Sequence, residues 1–150
     1  MNSNWQEVMK NAISEVLETM FFIALEYREQ EQPFPSEYEE AGIPLYSKKA
    51  NRRMNIVFRA TLPFATTLAS NLLAKEDSEV SLEDVRDVMQ ELVNMAAGSC
   101  AAEAGDSEWE IGLPFFGHRP DPQATYLARI WLLESGEPVG MTLLEQQSTH

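Results

Sequence analysis

The segment formed by residues 81–104 constrains the fold more than any other part of the sequence. Its apolar residues recur at three- and four-residue steps, which is the spacing of one face of an α-helix. Ser81, followed three residues later by Asp84, resembles a capping box in which aspartate replaces the longer acid. The segment is therefore predicted to be a long helix that buries the face formed by Val85, Val88, Met89, Leu92, Met95 and Ala96.

Two further helices are predicted in the first half of the chain. The first covers about residues 5–25, where apolar residues again form one stripe, with Asn4 as its N-cap, a role that Ser3 would also serve. The second begins near Pro63, because proline suits the first turn of a helix, and runs to about residue 74. Between them, residues 27–42 contain two prolines and several glutamates and are predicted to form a loop.

Five segments have the alternating or β-rich pattern of strands, namely residues 43–47, 53–61, 108–116, 124–134 and 138–145. The final three follow one another along the chain, and consecutive strands joined by short turns pair antiparallel. The predicted class is α+β, with helices packed on one antiparallel sheet. No linker of biased composition divides the 150 residues, so we predict a single domain over residues 1–150 with a disordered tail at about 146–150.

The charge balance of the chain excludes several classes of partner. Eleven basic against twenty-four acidic side chains give a net charge of −13. Nucleic-acid phosphates and anionic lipid surfaces repel such a chain, so neither nucleic acid nor a membrane is an expected partner. The beginning of the sequence lacks the order of a secretory signal, and the single cysteine, Cys100, cannot form an intrachain disulfide. We therefore expect a cytoplasmic protein.

A second face of the helix over residues 81–104 carries the candidate functional residues. Asp87, Glu91, Asn94 and Gly98 recur along it within a narrow stripe. An ordinary solvated face is the usual interpretation of acidic residues on a helix. However, asparagine is a poor helix former, and glycine costs about 1 kcal/mol relative to alanine in a helix interior. A glycine beside a carboxylate and an amide leaves room for another backbone to approach closely.

These residues carry a resemblance to a known family. The spacing Asp87-x3-Glu91-x2-Asn94, continued to Gly98 within the string QELVNMAAG, resembles the signature of the CheC/CheX/FliY phosphatases of bacterial chemotaxis. The preceding string MNIVFRATLPFATTLASNLL is also similar to the strand and helix that come before that signature. The resemblance implies a CheC-like two-layer fold, in which an antiparallel sheet packs against long helices.

The resemblance also implies a substrate and roles for the four residues. The substrate would be the aspartyl phosphate of a phosphorylated CheY-like response regulator, which brings its own Mg²⁺, so no metal or cofactor is expected in this chain. Asn94 would orient the attacking water and Glu91 would bind the receiver's lysine. Asp87 would support docking from one turn earlier, and Gly98 would allow close approach of the partner.

The first predicted helix resembles a degenerate copy of the motif helix. Laying NAISEVLETM over DVMQELVNMA pairs Asn11 with Asp87, Glu15 with Glu91, and Glu18 with Asn94. The chain is thus predicted to be built from two degenerate half-repeats, like CheC-type proteins. Because an acid replaces the amide at Glu18, one active site per chain is predicted, as in CheX.

Several alternatives remain open at this point. A non-enzymatic CheC-like adaptor would bind a phosphorylated receiver, or a motor or signalling component, without hydrolysis. The resemblance suggests a homodimer formed through the sheet, and the strand that contains Leu127, Ile130, Trp131 and Leu132 offers an edge for pairing. His118 and His150 lack metal-ligand spacing, and Cys100 is interpreted as a buried thiol. The proline and the two phenylalanines of the Leu-Pro-Phe-Phe run at residues 113–116 are interpreted as core or interface packing, not as a cofactor pocket.

Overall fold

The computed structural model describes residues 4–104, 109–117 and 123–146. These residues form three α-helices, one short 3-10 helix at Asp77–Glu79, and seven β-strands. The helices are α1 (Trp5–Met20), α2 (Leu62–Leu73) and α3 (Leu82–Glu103). The strands are β1 (Glu26–Arg28), β2 (Glu39–Ser47), β3 (Arg52–Ala60), β4 (Trp109–Ile111), β5 (Phe115–Phe116), β6 (Thr125–Glu134) and β7 (Glu137–Gln146).

All seven strands belong to one antiparallel sheet in the order β1-β6-β7-β3-β2-β4, with β5 paired to β2. The three helices contribute to a single apolar core on one face of this sheet. The predicted α+β class and the two-layer arrangement are confirmed. The division into two half-repeats stays a prediction. Within the described residues, no helix is long and apolar enough to cross a membrane.

Helix α3 follows its prediction closely. The Ser81 hydroxyl accepts a hydrogen bond from the Asp84 amide at 3.0 Å, and the Asp84 carboxylate accepts one from the Ser81 amide at 3.1 Å. This capping box fixes where the helix begins. The face toward the core is buried at Val85, Val88, Met89, Leu92, Val93, Ala96, Ala97 and Cys100. Met95, which was predicted for this face, packs at its border and is partly buried.

The prediction for helix α1 is right about its start and wrong about its end. The Asn4 side chain accepts from the Glu7 amide at 3.2 Å, as an N-cap does. The helix ends at Met20, five residues before the predicted end at residue 25. Phe22 adopts a left-handed backbone with φ 59°, which an α-helix cannot contain, and the Asn71 side chain donates to the Phe21 carbonyl at 2.8 Å.

The predicted strand over residues 108–116 is also corrected. Residue 108 lies outside the described residues, and the rest forms two short strands, β4 and β5, that pair with β2 instead of with the strands that follow. Pro114 lacks an N–H group and cannot continue a ladder, so the segment bends between the two strands. Strand β2 begins at Glu39, earlier than the predicted residue 43, because its first residues pair with β3.

The connection between α1 and β2, predicted as a loop, covers the sheet face that points away from the helices. A second apolar cluster lies on that face, formed by Val57, Trp131, Leu133, Met141 and Leu143, and Phe34 packs against it. The short strand β1 in the same connection pairs with β6. The segment therefore caps the sheet on the side opposite to α3. Of the predicted tail, residues 147–150 lie outside the described residues and Gln146 ends β7.

The outer edge of β6 is occupied by groups of the same chain at two places. Strand β1 pairs with Trp131, Leu132 and Leu133. At Arg129, the Gln6 side chain donates to the backbone carbonyl at 2.6 Å and accepts from the backbone amide at 3.0 Å. The Gln6 amide thus pairs with Arg129 as a neighbouring peptide group would. A homodimer formed through this strand stays a prediction.

Replacing Gln6 by alanine removes both of these hydrogen bonds. We expect Gln6→Ala to lower the free energy of unfolding by about 1 kcal/mol, since water only partly replaces them. The matched control is Gln32→Ala, because among the described residues the Gln32 side chain donates only to the nearby Gln30 carbonyl. Urea denaturation followed by circular dichroism measures the difference. Equal stability of the two variants would show that Gln6 does not hold the edge of β6.

Candidate active site

The polar stripe of α3 faces solvent along its whole length. Asp87, Glu91, Asn94 and Gly98 are all exposed, whereas the residues on the opposite side of the helix are buried. The predicted separation of the helix into a core face and a polar face is therefore correct. Because the buried side chains fix the rotation of α3, the stripe has one orientation relative to the rest of the molecule.

Three of the four stripe residues line one shallow groove. Asp87, Glu91 and Asn94, together with Gln90, form one wall of this groove of about 360 Å³. The loop between β4 and β5 forms the other wall, through Gly112, Leu113 and Pro114. Gly98 lies one turn beyond and does not belong to the lining. The groove thus combines two carboxylates and an amide with an apolar wall.

The second wall is not predicted from the sequence, in which Leu113 is given no role and Pro114, Phe115 and Phe116 are interpreted as core or interface packing. The structure places Phe116 against the core, but the Leu113 side chain is 86% exposed. A glycine and a proline after a short strand indicate a turn, and this was the only available signal. Which helix the turn faces depends on the pairing of β4 and β5 with β2, which local sequence does not encode.

The loop that forms this wall is fixed at both ends. The Gly112 amide donates to the Pro44 carbonyl at 2.9 Å, and the Gly117 amide donates to the Glu40 carbonyl at 2.8 Å. A Cβ at Gly112 would lie 2.6 Å from Pro44 Cγ, and a Cβ at Gly42 would collide with the Phe115 ring. The Arg86 guanidinium of α3 lies 5.2 Å from the centre of the Phe116 ring. These contacts hold the loop against both β2 and α3.

The polar side chains of the first wall are available for an external partner. In the part of the chain that the structure describes, we find no hydrogen bond or ion pair that occupies the side chains of Asp87, Glu91 or Asn94. Polar groups that stabilise a fold normally have partners within it. The three side chains therefore have no evident role in holding α3 in place.

Asp84, which continues the same stripe toward the start of the helix, has a structural role instead. Its carboxylate accepts from the Lys75 ammonium at 2.9 Å and from the Ser81 amide. The hydrogen bond from Lys75, followed by that from the Ser81 backbone, lowers the pKa of Asp84 below its usual value. Asp84 thus differs from Asp87, Glu91 and Asn94 in that its carboxylate is bound to groups of the fold.

The glycine at position 98 is not required by packing against the residues that the structure describes. Among the described residues, nothing lies within 4 Å of the position that a Cβ on Gly98 would occupy. Gly98 sits in the interior of the 22-residue helix α3, where glycine is less favourable than alanine. The described residues therefore give no packing reason for this less favourable residue on the exposed face of the helix.

The proposed degenerate copy on α1 lies outside the groove. Asn11, Glu15 and Glu18 are all exposed, and the Asn11 side chain donates to the Glu103 carboxylate at 3.0 Å. This hydrogen bond joins the copy to the C-terminal end of α3. It places Asn11 in contact with the motif helix but away from the residues that line the groove.

Other candidate groups do not form a second centre in the described structure. Cys100 is buried, as predicted, and burial raises the pKa of its thiol to about 12, so it stays protonated at neutral pH. His118 and His150 lie outside the described residues. Among the residues that are described, no group of three or more His, Cys, Asp or Glu side chains could hold a metal ion.

Comparison with known families identifies the chain. The family model described as "Chemotaxis phosphatase CheX" matches residues 49–129, which is more than half of the sequence and includes both walls of the groove. The chain belongs to this family. A comparison with curated proteins gives no match.

Solved structures of CheX and CheC-like proteins have the same fold as this CheX-family chain. The chemotaxis protein CheX of Vibrio vulnificus matches with a TM-score of 0.73 at 15% identity, covering 97% of this chain and 99% of that chain. A CheC-like superfamily protein from Shewanella sp. PV-4 matches with a TM-score of 0.72 at 14% identity, covering 99% of this chain and 100% of that chain. A chain of the CheX-CheY-BeF3-Mg complex of Borrelia burgdorferi matches with a TM-score of 0.71 at 15% identity, covering 95% of this chain and 97% of that chain. At these identities the likeness establishes the fold.

The open space around Gly98 leads to a stability prediction. We expect Gly98→Ala to raise the free energy of unfolding by roughly 0.5–1 kcal/mol, because alanine favours the helix and its methyl group meets no obstacle. The same substitution at Gly112 is the matched control and should destabilise, since its Cβ would meet Pro44 at 2.6 Å. Thermal and urea unfolding measure both variants. A loss of stability in Gly98→Ala would contradict the packing described here.

Proposed function

We propose that this chain is a phosphatase that accelerates hydrolysis of the aspartyl phosphate on a CheY-like response regulator. The observation that carries the proposal is the groove in which Glu91 and Asn94 stand exposed on a packed helix, with no hydrogen bond or ion pair to another described residue. Membership of the CheX family supports the reaction class. The existence of a CheX-CheY complex from Borrelia burgdorferi supports the class of partner.

The proposed reaction requires little covalent chemistry from the phosphatase. Water attacks phosphorus, the bond between phosphorus and the aspartyl oxygen breaks, and the products are inorganic phosphate and a free carboxylate. A carboxylate is a good leaving group, so the main requirement is a water molecule in line with the breaking bond. The receiver is expected to bring its own Mg²⁺, which would offset the charge of the phosphoryl oxygens.

Asn94 is proposed to position that water. A side-chain amide can accept a hydrogen bond from water through its oxygen and donate through its nitrogen. It carries no charge, so it is not repelled by the phosphoryl oxygens as a carboxylate would be. Its exposure on the wall of the groove gives it direct access to a phosphoryl group that a partner inserts there.

Glu91 is proposed to bind the lysine of the receiver. It lies three residues before Asn94 on the same wall, so a salt bridge to the receiver would fix the amide in position over the phosphoryl group. Asp87 extends this acidic surface by one turn and is proposed to support docking. At Gly98, the absence of a side chain is proposed to let the partner's backbone approach α3 beyond the groove.

Removal of the amide should stop the reaction while the fold remains. We expect Asn94→Ala to reduce acceleration of receiver dephosphorylation on the order of 100-fold, with an unchanged far-ultraviolet circular dichroism spectrum. Asn94→Asp should lose activity as well, because its carboxylate repels the phosphoryl oxygens. Asn11→Ala is the matched control, an exposed helical asparagine outside the groove. Full activity in Asn94→Ala would refute the role given to this residue.

Removal of the Glu91 carboxylate should act mainly on binding. We expect Glu91→Ala to weaken the affinity for a receiver loaded with BeF3 and Mg²⁺ by roughly 10-fold or more, as for the loss of one partner from a charge-assisted contact. Glu83→Ala is the control, an exposed glutamate at the start of the same helix that does not line the groove. Isothermal titration calorimetry measures the affinity of both variants for the loaded receiver. Equal affinities of Glu91→Ala and Glu83→Ala would show that Glu91 does not contribute to docking.

The same assays separate the phosphatase from an adaptor. A chain that binds the phosphorylated receiver and leaves its phosphate half-life unchanged would be an adaptor, and the proposed reaction would be wrong. The assay therefore measures binding and phosphate release on the same preparation, with CheY-like receiver domains from the same genome.

A further inference from the structure

The wall of the groove opposite to Glu91 and Asn94 carries an apolar side chain that the proposed reaction does not use. Leu113 is 86% exposed, the largest value among the described large apolar residues. Single exposed leucines are common on protein surfaces and need no explanation by themselves. Leu113 differs in its position, because it shares one groove with the three polar residues of α3.

The exposure of Leu113 is imposed by the loop that carries it. Backbone hydrogen bonds from Gly112 to Pro44 and from Gly117 to Glu40 tie the segment to β2 on both sides. The Phe115 ring lies over Gly42, which has no side chain in its way, and Phe116 is partly buried against the core, with the Arg86 guanidinium near its ring. Pro114 restricts the backbone directly after Leu113. The loop therefore holds Leu113 out in water.

A rigid loop lowers the cost of binding. An apolar side chain whose backbone is already fixed loses little conformational entropy when a partner covers it, and its burial is favourable. Interfaces commonly combine a buried apolar anchor with charged or polar contacts around it. The groove has this composition, with Leu113 and Pro114 on one wall and Asp87, Glu91 and Asn94 on the other.

We propose that Leu113 is a docking residue for the phosphorylated receiver, making an apolar contact beside the phosphorylation site while α3 engages the phosphoryl group and the lysine. This inference rests on the proposed function, and it names a partner-selecting contact on the wall that the motif does not include. The receiver is the occupant because whatever enters the groove far enough to meet Glu91 and Asn94 also meets Leu113. A receiver that inserts its phosphoryl group must then present an apolar surface to this loop.

The test compares Leu113→Ala with wild type in binding and in turnover. The probe is a CheY-like receiver loaded with BeF3 and Mg²⁺ for affinity, and the phosphorylated receiver for kinetics. We expect the affinity for the loaded receiver to fall about tenfold, equivalent to about 1.4 kcal/mol. The loss should be larger in KM than in kcat, because Leu113 contacts the partner and not the reacting atoms. The unfolding midpoint should not change, since Leu113 is exposed.

Two control variants accompany this measurement. Leu113→Met keeps an apolar side chain of similar volume and should restore most of the affinity. Leu62→Ala removes a leucine that is 48% exposed at the start of α2, outside the groove, and should bind the receiver as wild type does. Together they distinguish a specific contact at Leu113 from a general effect of surface hydrophobicity.

Several outcomes would overturn the inference. Wild-type affinity in Leu113→Ala, together with normal acceleration by the wild-type chain, would refute the docking role and leave the proposed function intact. A change in sedimentation equilibrium without a change in receiver affinity would assign Leu113 to contact with a second copy of this chain. Weaker receiver binding by Leu113→Ala, with no acceleration by the wild type, would support docking and refute the phosphatase. No binding of any receiver by the wild type would refute both.

Discussion

Burial of the apolar face of α3 is the constraint on which the rest of the site depends. Eight side chains of this helix lie in the core, where the helix packs against the sheet and against the other two helices. A helix packed in this way cannot rotate about its axis without exposing part of that face to water, which costs roughly 25 cal/mol for each Å² of apolar surface. The packing therefore decides which residues are exposed to solvent. It fixes the direction in which Glu91 and Asn94 point, although neither side chain is part of the buried face.

The groove beside α3 combines elements that are distant in the sequence and differ in kind. One wall is a stretch of helix whose geometry comes from local hydrogen bonds. The other is a loop whose position comes from pairing with β2, a strand more than sixty residues earlier in the chain. The first wall carries groups that can act on a phosphoryl group, and the second carries an apolar side chain. In the function proposed above, reaction and recognition would belong to separate parts of the fold, each held by its own contacts.

Local patterns predicted the parts of the structure that local interactions determine. The 3.6-residue period of α3, the Ser81 cap, and the strands β3, β6 and β7 could all be found in the sequence, and so could the polar stripe. The end of α1 could not be predicted, because it depends on the left-handed backbone of Phe22, and phenylalanine is not a residue that indicates a turn. The loop at residues 112–114 could not be placed either. The roles of Gly42 and Gly112 become clear only when their neighbours Phe115 and Pro44 are known.

The contact between Gln6 and Arg129 occupies peptide groups at the outer edge of β6. A sheet edge with free peptide groups can recruit strands from other molecules and begin a fibril. In this fold a glutamine side chain in the first turn of α1 occupies both backbone groups of Arg129, at a place on β6 that the short strand β1 does not reach. Helix α1 thus occupies one position of this edge, where a strand of another molecule could otherwise form hydrogen bonds, while it also contributes to the core.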